Sequence, residues 1–87
     1  MNKIWYHGTN YKNYKAIIKS GKFKVGTWFA KDVVHAVKFG GEYIFMILIK
    51  WDKTPLKWQA HCKNEISTEK ILGIGKLKLK DGKTLIN

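Results

Sequence analysis

Two helix-like segments followed by a run of strands predict an α+β domain. Apolar residues recur at helical spacing twice before residue 41, a long unbroken apolar run follows, and short β-branched or alternating segments continue toward the C-terminus. The elements are segregated rather than alternating as βαβ units, which argues against a doubly wound fold.

Lys3 to His7 opens as a strand, rich in aromatic and β-branched residues. Asn10 is suited to cap a helix that carries Tyr11, Tyr14, Ile17 and Ile18 on one face and Lys12, Lys15 and Lys19 on the other; Gly21 ends it. Thr27 to Ala30 predicts a short strand, and Asp32 caps a second helix bearing Val33, Ala36 and Val37, stopped by Gly40-Gly41. Glu42 to Lys50 is the strongest strand signal and is expected at the centre of a sheet. Asp52 to Pro55 reads as a turn, Lys57 to Cys62 as a strand or an active-site loop, and Glu65 to Ser67 as a short strand. Lys76 to Lys80 alternates lysine and leucine, and Asp81-Gly82 is a hairpin turn into Lys83 to Ile86.

The 87 residues predict a single domain, 1–87, with 45% hydrophobic and 14% aromatic residues to supply its core. Tyr43 to Ile49, the longest apolar run, falls far short of the ~20 residues of a membrane span, and the N-terminus lacks the apolar stretch of a secretory leader. With one cysteine, Cys62, there is no internal disulfide, and a cytoplasmic monomer is expected. All seventeen basic residues are lysine against six acidic ones, giving a net charge of +11. That balance favours an acidic partner, nucleic acid or protein, and serves solubility equally well. Without arginine, base-specific reading through the guanine fork is disfavoured.

His7 at a strand end, next to a glycine that admits close approach to the backbone, is suited to bond a sugar hydroxyl. Trp28 offers a face for stacking on a heteroaromatic ring, although core packing accounts for it as readily. Glu65 is one of few acids in a basic chain, with a pairing to a lysine such as Lys63 as its plainer role. His35, His61 and Cys62 match no zinc spacing, and Gly73-x-Gly75 lacks the helix that a phosphate loop needs.

The order of these parts resembles the His-Tyr-Glu class of ADP-ribosyltransferases, the group that includes diphtheria toxin and the poly(ADP-ribose) polymerases. The residues that carry it are His7-Gly8-Thr9, the helix to Gly21, Gly26-Thr27-Trp28-Phe29-Ala30, the helix through Ala36 to Phe39-Gly40, and Asn64-Glu65-Ile66, spanning about residues 4–72. The resemblance implies a small ADP-ribosyltransferase-like fold, two short helices on a split antiparallel sheet, with NAD⁺ as co-substrate in a cleft between two small sheets. It implies mono-ADP-ribosyl transfer to a protein or nucleic-acid acceptor. His7 and Glu65 would be catalytic, with Glu69 as the rival acid; His7, Gly8, Thr9, Trp28 and Phe29 would bind NAD⁺, with no metal. Trp28 stands where the class has tyrosine, which keeps the stacking face and loses the hydroxyl. The alternative is a non-catalytic, lysine-rich binding or inhibitor protein on the same scaffold, engaging nucleic acid or a nucleic-acid-binding enzyme.

Overall fold

The computed structural model describes residues 2–51, 53, 55–80 and 84–86. In chain order these form β1 (Asn2–Thr9), α1 (Tyr11–Ser20), β2 (Lys22–Phe23), β3 (Trp28–Ala30), α2 (Val33–Gly40), β4 (Tyr43–Lys50), β5 (Gln59–His61) and β6 (Ile66–Ser67). A 3-10 turn at Thr68–Lys70 then leads into β7 (Ile71–Lys76), β8 (Lys78–Lys80) and β9 (Thr84–Ile86). The class is α+β: two helices and an antiparallel five-stranded sheet in the order β5-β3-β1-β4-β7, with two-stranded ladders β2-β6 and β8-β9 beside it.

The strand expected at the sheet centre, β4, lies one place off it; β1 is in the middle. Two strands, β3 and β5, extend the sheet beyond β1, whereas only β7, a strand hidden in the sequence by Gly73 and Gly75, lies beyond β4, pairing from Tyr43↔Lys76 to Ile47↔Ile71. β1 and β4 pair along their full lengths, Asn2↔Lys50 to Thr9↔Tyr43, so the first strand is longer than Lys3 to His7.

Strand alternation sends Trp5, His7, Phe45 and Ile47 to one face and Tyr6, Gly8 and Ile44 to the other. The first face builds the larger core: Trp5, Phe23, Phe29, Phe45, Ile47, Ile49 and Cys62, closed by Tyr14 and Ile17 of α1. The second packs Ala30 and Ile44 against Ala36 and Val37 of α2, with Trp58, Leu77 and Leu79 at its margin. Both faces of the sheet are therefore occupied, and each helix serves one of them.

The helices start and stop where the sequence says. Asn10 Oδ1 accepts the Asn13 N–H at 2.8 Å, and Gly21 closes α1 at φ 77° with its N–H on the Ile17 carbonyl. Asp32 caps α2 through the His35 N–H, also at 2.8 Å. α1 packs lightly: none of its residues is buried, and Tyr11 and Ile18, expected on its apolar face, remain about half exposed. α2 lies much closer to the sheet. A Cβ on Gly8 would sit 2.0 Å from the Ala36 carbonyl oxygen, and one on Gly40 would sit 2.1 Å from the Gly8 oxygen. These two glycines let the helix and β1 touch backbone to backbone.

Of Lys57 to Cys62 only Gln59–His61 forms a strand, β5, and the flanking residues are irregular. Lys76 to Lys80 does not form one strand, because the Leu77 N–H turns to the Glu42 carbonyl at 2.8 Å and divides it between β7 and β8. β8 and β9 pair antiparallel from Lys78↔Ile86 to Lys80↔Thr84; the hairpin turn expected at Asp81-Gly82 lies outside the described residues, as do Asp52 and Thr54 of the turn expected before Pro55. No helix among the described residues is long and apolar enough to cross a membrane.

Candidate functional site

β1 and β3 hold a ladder register at one pair, Tyr6↔Ala30. Beyond it toward Thr9 and Thr27 the strands part, and a side chain takes over from the ladder: His7 Nδ1 lies 2.8 Å from the Trp28 carbonyl oxygen. A carbonyl oxygen only accepts, so Nδ1 carries the proton and Nε2 of the neutral ring is an acceptor. Burial holds the His7 pKa below its usual 6.5, and the hydrogen bond to Trp28 opposes that shift without cancelling it. The rings of Phe23, Phe29, Phe45 and Trp28 surround the imidazole at 5.7–6.3 Å between centroids.

Where the strands separate, a cleft of about 860 Å³ opens between β1, β3 and the end of α1. His7, Gly8 and Thr9 form one side, and Thr27, Trp28 and Phe39 another. Lys19, Lys22 and Lys24 border it, and no carboxylate does among its described lining residues. The result is a concave site with aromatic walls, one uncharged histidine and a cationic rim. Such a lining suits a ligand that combines a flat ring, hydroxyls and negative charge.

The residues singled out in the sequence divide between this cleft and elsewhere. His7, Gly8, Thr9 and Trp28 come together in it. Trp28 is half-buried and has two roles, since its ring also packs into the cluster under α2. Gly8 borders the cleft through its backbone, but the side of Gly8 where a side chain would project is filled by the Ala36 carbonyl; helix packing, rather than ligand approach, requires glycine here. Phe29 is a correction. It is 0% exposed and packed among Phe23, His7 and the rest of the larger core, so it has no surface to offer a cofactor. Strand alternation is the cause, because Phe29 faces away from its neighbour Trp28.

Glu65 does not join His7. It borders a second cavity, of about 290 Å³, together with Cys62, Ile66 and Ser67. Its Oε2 is 2.8 Å from Lys22 Nζ, so the pairing partner is Lys22, not Lys63. The cause is the β2-β6 ladder, Lys22↔Ser67 and Phe23↔Ile66, which stands between the two cavities. Lys22 borders the cleft, which leaves the Glu65 carboxylate one ion pair away from it, with both partners about half exposed. Glu69 caps nothing of the cleft; its N–H is held by Ser67 Oγ at 3.1 Å in the 3-10 turn, and it borders neither cavity.

Lys22 and Lys24 were not picked out by the sequence reading. Their signal was present as alternation about Phe23, which buries the ring and sends both lysines outward. Elsewhere, Asp32 grips the His35 ring at 2.6–2.8 Å while His35 stacks on Trp58 at 4.6 Å, on the face of the sheet covered by α2. Burial alone would raise the Asp32 pKa, but hydrogen bonds from His35 and Val34 outweigh it and leave it lowered. Among the described residues no three His, Cys, Asp or Glu side chains gather to hold a metal ion. Comparison with protein-family models, with curated proteins and with solved structures returns no match.

Proposed function

We propose that the cleft binds NAD⁺ and that the protein transfers ADP-ribose from it to an acceptor. The observation that carries this reading is the parted β1-β3 edge: an uncharged His7 with Nε2 free to accept, the Trp28 ring beside it, and a rim of three lysines, of which Lys22 is paired with Glu65. In this reading a ribose hydroxyl donates to His7 Nε2, and Trp28 stacks on the nicotinamide ring. Lys19, Lys22 and Lys24 attract the pyrophosphate. The aromatic contact is worth about 1–3 kcal/mol on the scale of base stacking.

Transfer asks for one further group. The bond from ribose C1′ to the nicotinamide nitrogen breaks, nicotinamide leaves with the electron pair, and an acceptor atom bonds C1′ as it loses its proton. A carboxylate near the ribose stabilises the cationic sugar, and removing such a group typically costs ~10²–10³-fold in rate. Glu65 supplies it by turning from Lys22, whose exposed ion pair is worth only about 0–1 kcal/mol.

A second reading is favoured by the absence of any acid among the described residues of the cleft itself. The same scaffold then acts as a non-catalytic binding protein, and Glu65 is no more than the surface partner of Lys22. Incubation with labelled NAD⁺, alone and with cell lysate, separates the two. Nicotinamide release or label transfer that disappears in Glu65→Gln supports the transferase. An NAD⁺-induced thermal shift without release supports the binding protein, and neither signal removes NAD⁺ from the proposal altogether.

A further inference from the structure

The second cavity lies across the β2-β6 ladder from the cleft, between the end of β4 and the segment that joins β5 to β6. Its floor is apolar: Ile49 and Cys62 are each 5% exposed, and Ile66 packs against the same core. Trp51 forms part of its wall, half-buried and held 5.0 Å from the Trp5 ring at an angle of 61°. The Trp51 Nε1–H is enclosed and has no hydrogen-bond partner among the described residues. Around the opening stand Lys50, Lys53, Lys63 and Lys70. The single carboxylate among its described lining residues, Glu65, is already taken by Lys22. Four cations, an indole and a floor without polar side chains thus meet in a volume of about 290 Å³, the small end of ordinary ligand sites.

We infer that this cavity binds single-stranded nucleic acid, seating one base against Trp51 while Lys50, Lys53, Lys63 and Lys70 hold the adjoining phosphates. Aromatic rings interleaved with cations along a groove are how single strands are held without sequence reading. A base enters the cavity only when unpaired, so a duplex, whose bases are stacked inside, is excluded from the seat. The chain has seventeen lysines and no arginine, which fits contacts to phosphate as point charges and leaves the guanine fork unavailable. The inference does not depend on NAD⁺ in the cleft, because the β2-β6 ladder separates the two cavities and they share no lining residue.

The test uses fluorescence anisotropy of a labelled short oligothymidylate across a salt series, with the whole chain. Wild type binds it, and an abasic strand of equal length binds about tenfold more weakly for want of the stacked base. The double variant Lys53→Ala/Lys63→Ala loses two phosphate contacts. Its salt slope then falls by about 1.4 and its affinity drops about 25-fold at 0.1 M salt. Lys12→Ala/Lys15→Ala removes equal charge from the exposed face of α1 and stays within about twofold of wild type. Equal losses in the two double variants would mean diffuse attraction to a +11 chain and overturn the site. So would equal binding of the abasic strand, equal binding of a duplex, or displacement by polyglutamate at matched charge. An NAD⁺ thermal shift recorded on Lys53→Ala/Lys63→Ala keeps the two proposals apart: it persists if the cleft reading holds, whatever the oligonucleotide does.

Discussion

Replacing Gly8 with alanine places a methyl group 2.0 Å from the Ala36 carbonyl oxygen, 2.7 Å from its carbon and 3.1 Å from the Gly41 oxygen. Real Cβ contacts essentially never fall below 3.0 Å, so the helix must withdraw by about 1 Å or β1 must bend. No side chain can rotate aside, because every atom in the way is backbone. Withdrawal loosens Ala36 and Val37 from Ile44, the centre of the second core. Overpacking costs typically about 1–3 kcal/mol, and a clash against backbone belongs at the top of that range. A chain of 87 residues has about 4–13 kcal/mol of stability in all, and each kcal/mol moves Tm by ~4–8 °C. Gly8→Ala is therefore expected to lower Tm by roughly 12–24 °C in a thermal melt followed by circular dichroism. Gly73→Ala is the control: it too is a strand glycine, but no heavy atom lies within 4 Å of its added methyl and its φ is not left-handed. It should leave Tm unchanged or raise stability by up to about 1 kcal/mol. Equal melting of Gly8→Ala and Gly73→Ala would refute the packing account of Gly8 and return that glycine to a ligand role.

Three more expectations follow from the site. Because burial depresses the His7 pKa, the unfolded chain takes up the proton more readily than the folded one; the stabilisation is complete above pH 6.5 and is lost as pH falls through 6.5 toward the folded value. Tm should fall between about pH 7 and pH 5, and His7→Asn should flatten that slope in the same melts. Glu65→Gln removes one half-exposed ion pair and should change stability by no more than about 1 kcal/mol in urea titration, so any loss of NAD⁺ chemistry in that variant is not a folding effect. Trp28→Ala should weaken NAD⁺ binding by about 1–3 kcal/mol in calorimetry, and unchanged affinity would remove the stacking role.

Local order was legible because it is written in nearest neighbours. Asn10 and Asp32 were recognisable as caps from their side-chain oxygens, Gly21 as a left-handed stop, and Tyr43 to Ile49 as a buried strand. β7 was missed because two glycines break its apolar alternation; it is held as a strand by pairing with β4, a partner some thirty residues away in sequence. β2 was missed because it is two residues long and exists only against β6.

The same division runs through the site. That His7, Gly8 and Trp28 belong near one another was implied by the resemblance of their order to a known family rather than by any local pattern, whereas strand periodicity alone assigns Phe29 to the opposite face from Trp28. Whether a charged residue joins them is decided by which strands lie side by side. Nothing local to Asn64-Glu65-Ile66 says that β6 will pair with β2, yet that pairing sets Glu65 on Lys22 and puts the ladder between it and His7. By itself the sequence determined the class, the helices with their caps, the apolar strands and the excess of positive charge, because each depends on residues a few positions apart. Only the tertiary structure decided the place of β1 at the sheet centre, the parting of β1 from β3 and the two separate cavities. Those depend on contacts between segments distant along the chain, and no local pattern encodes them.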